Sequence, residues 1–253
     1  MPDRYCIVVP HYNHVAQLRR FLPRLVRAQL PILVFDDGSE TAQHQALTEL
    51  AAGEPLAQLD GHEPNQGKGA AMIAAMRAAA AQGFTHAIIV DADGQHDSTD
   101  IERLHQASLA SPRTLFSGDP QFGPDIPLAR RYGRTITNTL ARIAAGDGQI
   151  RDAMCGLRLY PLSQVLPLFD DMGSRVRMQV DTELLVRACW AGARLRYLPT
   201  RVVYPDDGAS HFRMLRDNIN LAAMHLRLVS GGLWRRLRGG PERRRDAQPE
   251  RLS

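Results

Sequence analysis

Short apolar runs and amphipathic stretches alternate along the first third of the chain. Apolar runs rich in β-branched residues are typical of buried strands, and apolar residues at steps of three and four are typical of helices. This pattern predicts strands over residues 7–9, 31–35, 56–59 and 87–90, and helices over residues 15–29, 41–52 and 70–81. Strands that alternate with helices favour an α/β fold with a mostly parallel sheet flanked by helices.

The pattern is less regular in the rest of the chain. We expect strands over residues 114–117, 157–160 and 195–204, and helices over residues 182–191 and 214–237. Residues 119–134 are rich in proline, glycine and arginine, and we expect a long functional loop there.

The segment 214–237 predicts a basic amphipathic helix. Its apolar residues recur at steps of three and four between Leu215 and Leu237, with arginines among them and Trp234 near the end. Such a helix can lie on an anionic membrane surface, or it can pack on a core and leave an arginine tail exposed; the sequence leaves both open. From Gly239 the chain stays polar, so we expect a disordered tail. The predicted organisation is a globular domain over residues 1–213, the helix over 214–238 and the tail over 239–253.

Three polar clusters follow predicted strands or open a predicted helix. They are Asp36-Asp37-Gly38-Ser39, Asn65-Gln66-Gly67-Lys68-Gly69 and Asp91-Ala92-Asp93-Gly94-Gln95-His96. In parallel sheets covered by helices, ligands bind beyond the carboxyl ends of the strands. We therefore expect the functional site at this edge of the sheet.

Asp91 and Asp93 are the candidate metal ligands. Two carboxylates separated by one residue at a strand end can share one divalent cation, and hard oxygen ligands suit Mg²⁺ or Mn²⁺. Gln95 could add a carbonyl oxygen. The pair Asp36 and Asp37 has two interpretations: one residue caps the next helix, or an acidic group accepts hydrogen bonds from a base or ribose.

Lys68 is the only lysine among the 31 basic residues of the chain. It lies between two glycines at the start of a predicted helix, where backbone N–H groups favour an anion. The segment is not a Walker loop, because it lacks the earlier glycine and the Ser or Thr after the lysine. The alternative is an ordinary loop with a solvated lysine.

Composition narrows the class of protein. The chain has 253 residues, of which 44% are hydrophobic and 23% charged, which allows a large core and excludes collagen-like, disulfide-rich and wholly disordered chains. Much of the net charge of +4 lies in the C-terminal tail and does not require a nucleic-acid partner. The three cysteines, Cys6, Cys155 and Cys189, fit buried thiols in a reducing compartment. Because no apolar stretch matches a membrane span or a signal peptide, we expect a cytoplasmic protein, at most peripheral on the inner face of the cell membrane.

Four motifs, in this order, resemble those of family 2 inverting glycosyltransferases, and more closely the branch of dolichol- and polyprenyl-phosphate sugar synthases. They are Val8-Val9-Pro10-His11-Tyr12-Asn13 and the three polar clusters above. The likeness covers residues 5–213, in which the segments 152–158, 179–184 and 210–213 resemble further motifs of the family. Two positions depart from the pattern, because Cys155 replaces a serine and Asp97 stands where that branch often has proline.

The resemblance implies a GT-A (Rossmann-like) fold, a UDP- or GDP-sugar donor and a divalent metal. It assigns donor binding to Pro10, Tyr12, Asn13, Asp36, Asp37, Lys68, Asp91, Ala92, Asp93 and Arg213. It assigns metal binding to Asp91, Asp93 and Gln95.

The acceptor decides the remaining chemistry. A hydroxyl acceptor needs a general base, for which Asp181 is the first candidate and Glu183 the second; both residues also suit the first turn of a helix. A lipid phosphate is already ionised and needs positive charge instead of a base. The arginines that could supply this charge, or simply form a solvated basic face, are Arg130, Arg131, Arg134 and Arg213.

The sequence thus predicts a metal-assisted glycosyltransferase with a lipid-linked or glycan acceptor at a membrane. One alternative is a sugar-phosphate nucleotidyltransferase, which usually has a Gly-rich loop where this chain has Pro10-His11-Tyr12-Asn13. The other is a non-catalytic nucleotide-sugar-binding protein, against which the complete set of acidic residues argues.

Overall fold

A computed structural model describes residues 2–122, 128–146, 148–172, 179–201 and 214–238. The strands within these residues are β1 (Tyr5–His11), β2 (Ile32–Asp37), β3 (Ala57–His62), β4 (His86–Ile89), β5 (Thr114–Gln121), β6 (Arg158–Pro161) and β7 (Arg194–Arg201). The α-helices are α1 (Val15–Leu25), α2 (Thr41–Ala52), α3 (Lys68–Ala81), α4 (Thr99–Ala110), α5 (Leu128–Ala145), α6 (Leu162–Val165), α7 (Val180–Trp190) and α8 (Met214–Leu237). Short 3₁₀ helices follow α1 and α6 at Val26–Ala28 and Leu166–Leu168.

The seven strands form one sheet in the order β3-β2-β1-β4-β6-β5-β7. All neighbouring pairs are parallel except those of β6, which runs antiparallel to β4 and β5. The prediction of a mostly parallel sheet flanked by helices is confirmed. In the parallel half, His11 pairs with Asp36, and Asp37 pairs with His62, so the polar strand ends lie side by side.

Helices cover both faces of the sheet. Successive side chains of a strand point to opposite faces, and in β1 Cys6 and Val8 pack towards α3, α5, α7 and α8, whereas Ile7 and Val9 pack towards α1, α2 and α4. The three cysteines are buried thiols that form no disulfide, as predicted. Burial of strands on both faces explains why the sequence shows them as nearly continuous apolar runs.

The predicted loop over residues 119–134 is wrong at both ends, because β5 extends to Gln121 and α5 begins at Leu128. α5 was hidden in the sequence because its buried face consists of small and polar residues, namely Thr137, Asn138, Ala141 and Ala144. Its larger apolar side chains, Tyr132, Ile136 and Ile143, are exposed instead.

Helix α8 spans the predicted residues 214–237, and it packs on α5 and α7. Met224 and Leu228 are fully buried, whereas Leu226 is 74% exposed and Leu237 is 87% exposed. Arg236 donates a hydrogen bond to the Ile143 carbonyl, so the C-terminal ends of α5 and α8 lie together. α8 therefore packs on the core and also exposes an apolar face. The predicted tail over residues 239–253 lies outside the described residues.

Candidate active site

The ends of β1 and β2 are joined by a buried polar network around Asp36. Its carboxylate contacts His11 Nδ1 at 3.2 Å, His44 Nδ1 at 2.8 Å and the hydroxyl of Ser39. Burial alone would raise the pKa of Asp36, but the hydrogen bonds from His11, Ser39 and His44 outweigh it and hold the pKa well below its usual range. Asp36 is therefore an ionised side chain that braces the two strand ends.

Asp37 organises the loop that leads into α3. Its carboxylate accepts hydrogen bonds from the backbone N–H groups of Gln66 and Gly67, each at 2.8 Å, and from Asn65 Nδ2 at 2.9 Å. His62 Nε2 lies 2.7 Å from Asp37 Oδ1, the oxygen that also accepts the Gln66 N–H. These contacts fix the entry into α3, whose first residue is Lys68.

Three further residues assigned to donor binding, Pro10, Tyr12 and Asn13, lie next to Asp36. Pro10 belongs to β1, and Tyr12 and Asn13 follow directly after it. The Asn13 N–H donates to Ser39 Oγ, and its side-chain Oδ1 accepts from the Glu40 N–H, both at 2.9 Å. The structure thus brings this predicted group together at the adjoining ends of two strands.

Lys68 lies between two carboxylates that come from distant parts of the chain. Its Nζ is 2.8 Å from Asp91 Oδ1, just after β4, and 2.8 Å from Asp181 Oδ2, in the first turn of α7. Burial alone would lower the pKa of the Lys68 ammonium, but Asp181 and Asp91 outweigh it and raise the pKa. Lys68 is thus not a solvated loop residue; it is the cation at the centre of the site.

The second carboxylate of the acidic motif is in a different environment. Asp93 Oδ1 accepts a hydrogen bond from the Gln95 N–H at 3.0 Å, and no cationic side chain among the described residues pairs with Asp93. Burial and then repulsion by Asp91 raise the pKa of Asp93 to about 6. Ala92, between the two acids, is buried in the core.

Two residues that support this cluster were not among the predicted site residues. Gly156 faces Asp91 so closely that a methyl group there would lie 2.6 Å from Asp91 Cγ. Arg158 in β6 is fully buried and donates to Ser117 Oγ, Tyr160 Oη and the carbonyl oxygen of Asp181. One signal in the sequence could have identified Arg158, because it is a charged residue within an otherwise apolar strand.

Comparison with known proteins places this geometry in a family. The sequence profile of Glycosyl transferase family 2 matches residues 6–163, which include the ends of β1, β2 and β4 and the loop before α3. The chain belongs to glycosyl transferase family 2. As a family 2 glycosyltransferase it is an enzyme, which removes the two alternatives that the sequence left open.

Similar proteins share most of the length of this glycosyltransferase. The UDP-N-acetylglucosamine–dolichyl-phosphate N-acetylglucosaminyltransferase of Methanococcus voltae is 22% identical over 217 residues, covering 79% of this chain and 86% of that one. The polyprenol monophosphomannose synthase of Mycolicibacterium smegmatis is 29% identical over 176 residues, covering 62% of each chain. The mannosyltransferase PcManGT of Pyrobaculum calidifontis, solved with GDP-Man and Mn²⁺, superposes with a TM-score of 0.56 at 15% identity, covering 94% of this chain and 77% of that one. The last comparison supports the predicted GT-A fold.

The two candidate bases of this glycosyltransferase lie in different places. Asp181 faces Lys68, whereas Glu183 is fully buried, with Oε1 3.0 Å from Arg187 and Oε2 2.6 Å from Arg227 of α8. Residues two apart on a helix are about 200° apart around its axis, so the two acids cannot face the same cleft. Glu183 joins α7 to α8 and has no place in the cleft.

The arginines proposed for a phosphate also differ in their surroundings. Arg134 is held by Asp152 through Nε and Nη2, the latter at 2.7 Å, whereas Arg131 is exposed. The side chain of Arg130 and the whole of Arg213 lie outside the described residues.

The carboxylates of the site fit a divalent metal whose remaining ligands are oxygens of the substrate. Within the described ranges, no group of three or more His, Cys, Asp or Glu side chains could hold a metal. The protein offers Asp91 and Asp93, and the repulsion between them is what a cation would relieve. Mg²⁺ is commonly bound by one or two carboxylates together with substrate phosphates, and Mn²⁺ suits the same oxygen ligands.

Proposed function

We propose that this enzyme transfers a sugar, with inversion, from a nucleotide-diphosphate sugar to the phosphate of a lipid-linked acceptor. An ionised phosphate oxygen of the acceptor forms a bond to the anomeric carbon. The bond from that carbon to the β-phosphate oxygen of the donor breaks, and the nucleoside diphosphate leaves with the electron pair. A single displacement of this kind inverts the anomeric configuration.

The observation that carries this proposal is that both candidate bases are engaged with cations. Asp181 is paired with Lys68, and Glu183 is paired with Arg187 and Arg227. A general base has to reach the proton that it removes, and both carboxylates contact cationic side chains instead. A phosphate acceptor needs no base, since a phosphate monoester is ionised near neutral pH. The names of two relatives support the same acceptor class, because one specifies dolichyl phosphate and the other a polyprenol monophosphomannose product.

The donor would lie across the ends of β1, β2 and β4. Asp93 and Gln95, with Asp91 beside them, would hold the metal, and Pro10 and Tyr12 would border the nucleoside. A bound divalent ion would neutralise charge on the leaving diphosphate. One similar protein is named for a UDP-sugar and another was solved with GDP-Man and Mn²⁺, so both nucleotides belong in the first assay.

The substitution Asp181→Asn tests the choice of acceptor. With polyprenyl phosphate as acceptor, we expect a loss of turnover of about tenfold or less, because no proton has to be removed. A loss of several orders of magnitude, together with an acid limb in the wild-type pH profile that the variant lacks, would show that Asp181 acts as a base on a hydroxyl acceptor. Binding of UDP, GDP, UDP-glucose and GDP-mannose, measured by calorimetry with Mn²⁺ and with EDTA, gives the donor class independently.

The outer faces of α5 and α8 support a membrane-associated acceptor. Both helices expose apolar side chains opposite their buried faces, namely Tyr132, Ile136 and Ile143 on α5 and Ile219, Leu226, Leu233, Trp234 and Leu237 on α8. Neither α5 nor the segment 219–238 contains an Asp or a Glu, and each carries four arginines. An apolar face with basic residues fits an anionic lipid surface, whereas a second copy of the same basic face would be repelled. No helix among the described residues is both long enough and apolar enough to span a bilayer.

Vesicle flotation tests this surface. We expect the protein to float with vesicles that contain an anionic lipid, and to bind less as salt rises. Leu226→Glu should weaken flotation, whereas Leu109→Glu, which changes an exposed leucine of α4, should not. If the wild-type protein does not float with anionic vesicles, this part of the proposal is wrong. Attachment to the inner face of the cell membrane is proposed on the same basis.

A further inference from the structure

The position of Lys68 suggests a role beyond donor contact. It is the only lysine of the chain, and its ammonium group bridges Asp91 and Asp181 at 2.8 Å to each. The Lys68 side chain is 18% exposed and that of Asp181 is 9% exposed, so water screens this bridge only partly. Three segments of the cleft, the start of α3, the end of β4 and the first turn of α7, therefore meet at one internal cation.

The charges around this bridge are almost balanced. The carboxylates are Asp91, Asp93 and Asp181, and the cations are Lys68 and the buried Arg158, whose Nη2 has no hydrogen-bond partner among the described residues. Before substrate arrives, one negative charge remains for a divalent ion to neutralise. A nucleoside diphosphate brings further negative charge, and only then does the cleft need a strong external cation.

We propose that Lys68 acts as the resident cation of the donor-free cleft, so that the divalent metal binds together with the nucleoside diphosphate and not before it. Lys68 is then a positioning residue: it holds Asp91 against Asp181 and repels a second cation from the neighbouring Asp93. The inference rests on the proposed function in one respect, namely that a metal and a diphosphate share this cleft.

Removal of the charge of Lys68 provides the first test. Binding of Mn²⁺ alone, measured by electron paramagnetic resonance, should tighten at least about tenfold in Lys68→Met, because a nearby positive charge is lost in a poorly screened site. Binding of UDP and GDP in the presence of Mn²⁺ should weaken in the same variant. Arg77→Met removes one positive charge from the same helix at an exposed ion pair with Asp170, and should change neither affinity. A folded Lys68→Met protein that binds Mn²⁺ alone no better than the wild type would overturn the proposal.

The single lysine provides a second test that needs no variant of Lys68. Protein labelled with ¹⁵N-lysine has one side-chain ammonium resonance, which should be observable near neutral pH because the ion pairs slow its exchange with water. Mg²⁺ alone should leave the resonance unchanged, and Mg²⁺ with UDP or GDP should shift it. A shift with Mg²⁺ alone would refute the proposed order of binding.

The two experiments separate this inference from the proposed function. If Mn²⁺ and a nucleotide bind but Lys68→Met does not tighten metal binding, the function stands and the role of Lys68 is wrong. If Lys68→Met tightens Mn²⁺ binding but no nucleotide binds, the cation role stands and the proposed donor class is wrong.

Discussion

The substitution Gly156→Ala tests whether sugar transfer depends on the position of Asp91. A methyl group at residue 156 would lie 2.6 Å from Asp91 Cγ and closer still to Oδ2, whereas ordinary contacts begin at 3.4 Å. Asp91 Cγ would have to retreat by at least roughly 0.8 Å, and Oδ2 by more, because overlap at shorter range is repulsive. Such a shift would break or lengthen the 2.8 Å contact between Asp91 and Lys68.

The expected effects on stability and on turnover differ in size. The atoms that must move are at the far end of the Asp91 side chain, so the overpacking should cost about 1 kcal/mol, which is the low end for such changes. For a chain of this length that corresponds to a Tm lower by about 2–4 °C. Misplacement of a catalytic group by about 1 Å can reduce the rate about 10²-fold, so turnover should fall far more than stability.

Thermal unfolding and a transfer assay on the same samples measure both effects. Gly133→Ala in α5 is the matched control, since a methyl group there meets no atom within 4 Å. That control should be neutral or slightly stabilised, because alanine is the better helix former. Wild-type turnover in Gly156→Ala would refute the argument that Gly156 sets the position of Asp91.

Three further predictions concern the buried charges. Asp93→Ala should abolish transfer and leave far-UV circular dichroism unchanged; retained turnover would remove Asp93 as a metal ligand. The second prediction concerns stability in EDTA. The pKa of Asp93 is raised from an ordinary 3.8 to about 6. The stability contributed by the protonated Asp93 carboxyl group is therefore fully present below pH 3.8 and is lost as pH rises through 6. Asp93→Asn should therefore have a higher Tm than the wild type at pH 8 and an equal one near pH 4, and a constant difference would contradict this. In urea denaturation, Glu183→Ala should lower the free energy of unfolding by about 3–5 kcal/mol, because it leaves the nearly buried Arg187 without its partner. Arg227→Met changes an arginine that is 55% exposed and should lower it by about 1 kcal/mol or less. Equal losses would contradict the burial argument.

Strands β1, β2 and β4 were predictable because they are buried and mostly apolar on both faces and are followed by polar residues. Helix α5 was not predictable, because its inner face combines the small residues Ala141 and Ala144 with Asn138. Asn138 donates a hydrogen bond to Asp152 and accepts one from the Ala153 N–H. Hydrophobic periodicity does not detect a helix that is held by such bonds.

The sequence allowed the site to be located at the ends of particular strands, but not all of its contacts to be predicted. Asp91 and Asp93 could be placed from the strand before them, but the pairing of Lys68 with Asp181 depends on how α7 packs, 113 residues along the chain. The separation of Asp181 from Glu183 was available in the sequence, because helical geometry alone places residues two apart on different faces.

The antiparallel strand β6 has a consequence for how the chain assembles. β3, β2, β1 and β4 are neighbours in the sheet and are all present once residue 89 has been made. The free edge of β4, however, gains its partner only when Arg158–Pro161 emerges, and β5 pairs with β7 only at residues 194–201. Unpaired strand edges are prone to wrong pairing, and distant contacts form slowly. A nascent chain stalled between residues 90 and 157 should therefore carry an ordered half-sheet in which β4 is an open edge in addition to β3, which is an edge strand of the finished sheet as well. This is the stage at which assembly is most exposed to aggregation.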